Sequence, residues 1–256
     1  MQISNARAVI TGGVSGLGFA VAQHIVREGG RVALFDVNEE KGQAAVAELG
    51  ADKAKFFRTD VTDEAGVVAN VAAANEFLGG LNVAVNCAGI LGSGRVLGKD
   101  GPMPLSQFQT TVMVNLVGSF NVAKACAQVM QANEAGTDGE RGVIINTASV
   151  AAFEGQIGQT AYASSKAGVV GLTLPLAREL AMFGIRVCTI APGIFETPML
   201  LGLPEAAQKS LGASVPFPPR LGRPDEYASL ALQIVENQML NGETIRLDGA
   251  LRMAPK

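Results

Sequence analysis

Tyr162 and Lys166 stand four residues apart in the stretch YASSK, a spacing that places both side chains on one face of a helix. A free phenol titrates near pH ~10, and a cation held beside it favours the phenolate. That draws the group toward the range in which a general base works. A Tyr–Lys pair of this kind also occurs as two ordinary surface residues, so the surroundings decide. Ser149 lies thirteen residues before Tyr162, just past the apolar run VIINT of residues 143–147. It offers a second hydroxyl at a strand's mouth. Gln156 and Gln159 lie between the two hydroxyls, either lining a pocket or facing solvent.

A second constellation opens the chain. Arg7–Thr11 (RAVIT) is a short apolar strand that runs into GGVSGLG and then the helical pattern FAVAQHIVREGG, which Gly29 and Gly30 stop. Strand, glycine turn and helix together form a pyrophosphate cradle. Glycines allow close backbone approach, and a helix N-terminus offers free N–H groups with partial positive charge. The candidates are Gly12, Ser15, Gly16, Leu17 and Gly18. A second strand, RVALFD, ends at Asp36, eighteen residues after Gly18. A carboxylate there accepts from both adenosine ribose hydroxyls and repels a 2′-phosphate. No Lys or Arg occupies the glycine turn or positions 37–38, so we expect NAD rather than NADP. The plainer alternative for Asp36 is a turn residue at a strand end.

The positioning elements alternate. A helix is expected over Asn38–Leu49, a strand in KAKFFRTDV ending at Asp60, a helix over Asp63–Phe77, and a strand in LNVAVNCAG. The last has the near-continuous apolar run of a strand covered on both faces. It brings Asn86, Cys87, Ala88 and Gly89 to its C-terminal end, where open α/β sheets bind ligands. Residues 91–104 read as a long Gly- and Pro-rich surface loop, and 105–130 as one long or two joined helices with Asn115 inside an apolar run. A helix opening at Tyr162 is expected to kink or loosen at Pro175. Its small residues Ala167, Gly168 and Gly171 would let another helix approach closely. GIRVCTIAPG supplies a sixth strand, Pro224–Glu236 a helix and GETIRLDGA a seventh strand. Residues 194–220, irregular and Pro-containing, read as a substrate lid. The expected fold class is α/β: one domain over 1–256, a Rossmann-type doubly wound parallel sheet of about seven strands with helices on both faces.

Composition narrows the function classes. The chain has 256 residues, 48% of them apolar and 17% charged, with net charge −3, enough for one large core and without a basic stripe for nucleic acid. No apolar run reaches the length of a membrane span, about 18–20 residues, so neither nucleic acid nor membrane is an expected partner. The single His and three widely spaced Cys argue against a His-based triad, a metal site or a disulfide frame. A strand beginning almost at once leaves no room for a leader, which favours the cytoplasm. A mitochondrial matrix location stays open if a leader has been removed.

TGGVSGLG at 11–18, NCAG at 86–89, Asn115, Ser149, YASSK at 162–166 and APG at 191–193 together resemble the short-chain dehydrogenase/reductase family over essentially the whole chain. Within it, RGVIINTASVAAFEGQIGQTAYASSK, TIAPGIFETPML, VPFPPRLG and NGETIRLDGALRM resemble the type II 3-hydroxyacyl-CoA dehydrogenase group, which shares Cys87 where many relatives have Asn. The resemblance implies an NAD-linked homotetramer that moves a hydride between NAD and the C3 alcohol of a short- or branched-chain 3-hydroxyacyl-CoA. An enzyme on hydroxysteroids or other secondary alcohols is the alternative. A non-catalytic nucleotide-binding scaffold has no need of all four of Ser149, Tyr162, Lys166 and Asn115. The resemblance further implies that Tyr162 is the base, Lys166 its pKa-lowering partner and a holder of the nicotinamide ribose, and Ser149 a donor to the developing carbonyl. Asn115 would kink its helix and anchor a water leading from Lys166; a buried Asn capping a helix break is the alternative. On the cofactor side it implies Asp60 and Val61 around the adenine, Cys87 behind the ribose, and Pro192, Phe195 and Thr197 near the nicotinamide.

Overall fold

The computed structural model describes residues 1–99, 101–202 and 204–255. Asp100 in the expected loop, Leu203 in the expected lid and the terminal Lys256 lie outside the described residues. Seven strands form one sheet: β1 (Arg7–Thr11), β2 (Arg31–Asp36), β3 (Ala54–Arg58), β4 (Val83–Asn86), β7 (Gly142–Thr147), β8 (Ile185–Pro192) and β9 (Thr244–Leu247). Their order is β3-β2-β1-β4-β7-β8-β9, and every neighbouring pair is parallel. The chain winds outward from β1 to β3, then returns to lay β4 on the other side of β1. That reversal opens a crevice beyond the carboxyl ends of β1 and β4.

Helices α1 (Gly16–Arg27), α2 (Glu39–Leu49) and α9 (Pro224–Glu236) cover one face. On the other lie α3 (Glu64–Leu78), α5 (Gly118–Met130) and α6 (Thr160–Leu180). β4, β7 and β8 are buried at every position, as double coverage requires. Asn38 caps α2 by accepting from the Lys41 N–H, and Asp63 is the N-cap residue of α3.

Several expectations change. α1 begins three residues before the apolar pattern at Phe19, because the glycine turn itself winds into the first turn. The 91–104 loop contains a small antiparallel pair, β5 (Leu97–Gly98) with β6 (Gly101–Pro102). The 105–130 segment is one helix whose ends, α4 (Leu105–Val112) and α5, are joined by a π turn at Met113–Val117. That helix is long and apolar enough to cross a membrane, but half of it is buried within the fold. Its apolar average comes from interleaved core residues, which a search for unbroken runs does not detect. α6 opens at Thr160 and continues through Pro175. The 194–220 connection is not irregular: it holds α7 (Pro198–Leu201) and α8 (Glu205–Ala213).

Candidate active site

The glycine turn is required by contact as well as by conformation. Gly12 and Gly16 have φ of 61° and 53°, where side chains are strained. A Cβ on Gly18 would sit 2.5 Å from the Gly12 carbonyl oxygen and 3.2 Å from the Cys87 Cβ. Only a bare backbone lets α1 start this close to β1 and β4. The Thr11 hydroxyl accepts from the Cys87 and Ala88 N–H groups at 3.1 Å, tying the two strand ends together across the crevice.

A cavity of about 810 Å³ occupies this crevice. It brings together Gly12, Ser15, Gly16, Leu17, Gly18, Asp36, Asp60, Val61, Cys87, Ala88, Gly89, Ser149, Gln156, Gln159, Tyr162, Lys166, Pro192, Phe195 and Thr197. Residues separated by more than a hundred positions meet because the strands end at one sheet edge and the loops and helix starts that follow them lie there too. Asn86 and Asn115 lie outside the lining. Asn86 is buried, and its amide donates to the Asn146 Oδ1 at 2.9 Å and to the Ser119 carbonyl at 3.2 Å. Its side chain does not line the cavity: it ties β4 to β7 and to α5 on one face of the sheet, because alternate strand residues point to opposite faces.

Asn115 is fully buried in the π turn. Its Oδ1 accepts from the Ile90 N–H at 2.8 Å, and its Nδ2 donates to the Ile90 carbonyl and the Ser165 hydroxyl, both at 2.9 Å. It fastens the chain after β4 to α6. A Cβ on Gly89 would lie 3.1 Å from the Asn115 Oδ1, a tight contact, and 3.5 Å from the Lys166 Nζ, an ordinary one. The turn does not cap a broken helix.

Ser149 leaves β7 with an extended backbone, and its Oγ accepts from the Ala151 N–H at 3.2 Å. Tyr162 and Lys166 share the inward face of α6. The Lys166 Nζ donates to the Thr147 carbonyl at 2.7 Å and sits 5.9 Å from the Tyr162 ring centroid. Burial pushes the Lys166 ammonium down to about 8, partly offset by Cys87. The Tyr162 phenol is raised by burial, with the Ser149 hydroxyl pulling the other way. Desolvation is thus the largest influence on this phenol, opposed by the Ser149 hydroxyl, while the Lys166 ammonium is turned toward the Thr147 carbonyl. Burial likewise raises the Cys87 thiol. Asp60 is held low chiefly by the Thr62 N–H and hydroxyl, so its carboxylate is already engaged at the cavity wall.

Thr147, Leu91, Leu200, Leu211 and Met253 also line the cavity, and the sequence reading named none of them for the site. Apolar residues on loops and lid helices carry no spacing signal. Thr147 had one, as the last residue of the strand leading to Ser149.

The profile of the short chain dehydrogenase family matches residues 6–208. The 3-hydroxyacyl-CoA dehydrogenase type-2 of Drosophila melanogaster is 52% identical over 256 residues, 99% of this chain and 100% of that protein. The Homo sapiens protein of that name is 52% identical over 250 residues, 97% of this chain and 95% of its own. The crystal structure of 3-hydroxyacyl-CoA dehydrogenase type-2 from Mycobacterium avium superposes with a TM-score of 0.95 at 44% identity, covering 100% of this chain and 99% of that one. With its glycine cradle, strand-end carboxylate and Ser–Tyr–Lys set in one crevice, the chain is an oxidoreductase with a nicotinamide cofactor and a small-molecule substrate, and it belongs to the short-chain dehydrogenase family.

Proposed function

We propose that the chain oxidises the C3 alcohol of short- or branched-chain 3-hydroxyacyl-CoA with NAD, and catalyses the reverse reduction. The observation that carries this reading is the single cavity uniting Ser149, Tyr162 and Lys166 with Asp36 and the glycine turn. The names of the relatives support the substrate class. The cradle suits a dinucleotide, since Gly12, Gly16 and Gly18 line the cavity with bare backbone at the start of α1, and Asp36 in the same lining suits ribose hydroxyls without a phosphate.

In this reading Gly12, Ser15, Gly16, Leu17 and Gly18 hold the pyrophosphate, and Asp36 the adenosine ribose. Asp60, Val61 and Cys87 wall the adenosine side. Ala88, Gly89, Pro192, Phe195 and Thr197 border the nicotinamide end. Tyr162 removes the proton of the C3 hydroxyl while Ser149 donates to the same oxygen as it becomes a carbonyl. Lys166 holds the nicotinamide ribose and supplies positive charge beside the phenol. The chemistry that a bound nicotinamide adds is acceptance of the hydride leaving C3, and its cationic ring favours the phenolate. Gln156 and Gln159 border the acyl group, and α7 and α8 form the lid.

NADH oxidation measured across short-chain 3-ketoacyl-CoA esters and a panel of steroid ketones tests the substrate class. Saturable reduction of acetoacetyl-CoA with much higher kcat/KM than any steroid is expected. The reverse ranking overturns the acyl-CoA reading.

We also infer a homotetramer built on α4, α5 and α6. Leu105, Phe120 and Leu174 on these helices, with Met113 in the π turn and Met182 just past α6, are exposed, more apolar surface than one chain covers by itself.

A further inference from the structure

Residues 248–255 run over the loop that joins Ser149 to Tyr162, and a set of polar contacts holds them there. The Arg246 guanidinium pairs with both oxygens of Glu154, at 2.8 and 2.9 Å, and with Asp248 at 2.7 Å. It also donates to the Leu251 carbonyl at 2.9 Å. Arg252 reaches Asp248 at 3.2 Å and Glu154 at 3.5 Å. Three consecutive residues then meet the loop: the Met253 N–H donates to Glu154 at 3.4 Å, the Ala254 carbonyl accepts from the Gln156 side chain at 2.9 Å, and the Pro255 carbonyl accepts from the Ile157 N–H at 3.0 Å. These contacts set Met253 into the lining of the same cavity as Ser149, Tyr162 and Gln156.

Nothing in the proton or hydride chemistry needs this arrangement. The salt bridges are half-buried, and Asp248 is only 8% exposed, so the charges are matched within the fold rather than left to solvent. What the clamp accomplishes is to present one flexible thioether side chain at the substrate end of the cavity, next to the glutamine whose amide it also anchors.

We propose that Met253 limits the size of the group attached to the reacting carbon. Glu154 is a positioning residue that keeps Met253 in the wall by holding Arg246. The proposal rests on the acyl-CoA reading for the identity of that group, although size selection itself applies to any ketone.

The test compares kcat/KM for 3-ketohexanoyl-CoA and acetoacetyl-CoA, with NADH fluorescence titration reporting that each variant is folded. Met253→Ala opens space for added methylenes and is expected to raise the long-to-short ratio about tenfold, whereas Met253→Phe lowers it by a similar factor. Should the alanine variant fail to bind NADH, Met253→Val replaces it. Glu154→Gln is expected to move the ratio in the same direction as Met253→Ala, and the double variant to add nothing further. A ratio within about twofold of wild type in both the enlarging variant and Met253→Phe overturns the proposal. So does an equal fall for long and short substrates. The same size ladder run with simple 2-ketones separates the two readings. A wild type active on 2-ketones and inert toward acyl-CoA overturns only the acyl-CoA reading, and the Met253 ratio is then decided on the ketones.

Discussion

Three side chains of the proposed mechanism, two at the reacting end and one at the adenosine ribose, each have a measurable signature. Tyr162→Phe keeps the ring and removes the hydroxyl. NADH binding is expected to stay near normal while turnover falls roughly 10²–10⁴-fold; a variant retaining more than about a tenth of the rate contradicts Tyr162 as base. Lys166 is the more informative residue for stability. Its pKa drops from 10.5 to about 8 on burial, so at pH 7 the charged form costs the fold up to about 3 kcal/mol. Below about 8 both folded and unfolded chains hold the proton, and the cost is constant. Between about 8 and 10.5 only the unfolded chain holds it, so stability from this group rises with pH. Lys166→Met is therefore expected to raise Tm near pH 7 while losing turnover, and calorimetry should find the gap to wild type closing by pH 10.5. A gap that widens with pH contradicts the burial argument. Asp36→Ala removes the ribose acceptor, worth about 1–3 kcal/mol, and the KM for NAD should rise accordingly. Equal wild-type efficiency with NAD and NADP refutes the role given to Asp36.

At the scale of elements, the π turn in the 105–130 helix matters most. An inserted residue in an α-helix shifts the faces on either side of it, and here it brings Asn115 inward to bond Ile90 and Ser165. One side chain thus joins the helix, the strand end after β4 and α6, the three pieces that surround Lys166. Asn115→Ala leaves the half-buried Ile90 amide and carbonyl and the buried Ser165 hydroxyl without this partner. A loss of at least about 2 kcal/mol is expected, with faster hydrogen exchange at the Ile90 amide. An unchanged denaturation midpoint in the alanine variant contradicts this brace.

For the whole molecule, α6 separates contacts made within the chain from the surface that the proposed assembly would use. Gly168, read from sequence as a place where another helix approaches, meets one of its own chain: a Cβ there would lie 2.6 Å from Leu116 in the π turn. Gly171, one turn on, has nothing within 4 Å of a Cβ, and with Ala167 and Leu174 it forms an exposed stripe on α6. Gly171→Leu has room in an isolated chain. Any loss of assembly therefore reports a partner helix packed against that stripe. Light scattering is expected to show a tetramer in the wild type and smaller species in Gly171→Leu. A fully active wild-type monomer at micromolar concentration contradicts the assembly.

The alternation of strands and helices, the glycine turn and the Ser149, Tyr162 and Lys166 set were legible in the sequence, because each rests on local rules: a burial period, a backbone conformation, a helical spacing. Parallel strands then bring their C-terminal ends to one edge, so the cavity's polar members followed from the same pattern. Side-chain direction did not follow. Asn86 sits at a strand end yet turns toward α5 and Asn146 rather than into the cavity, a direction that depends on the pleat phase and on register with β7. The helices of the 194–220 segment escaped because Pro and Gly obscure its short helical turns. Met253 and Glu154 are 99 residues apart, and no local rule connects them. Nor could spacing weigh the Tyr162 phenol: the i to i+4 geometry places a cation near it, while how deeply the chain buries the ring, and which way Lys166 turns, depends on packing from every side of the crevice.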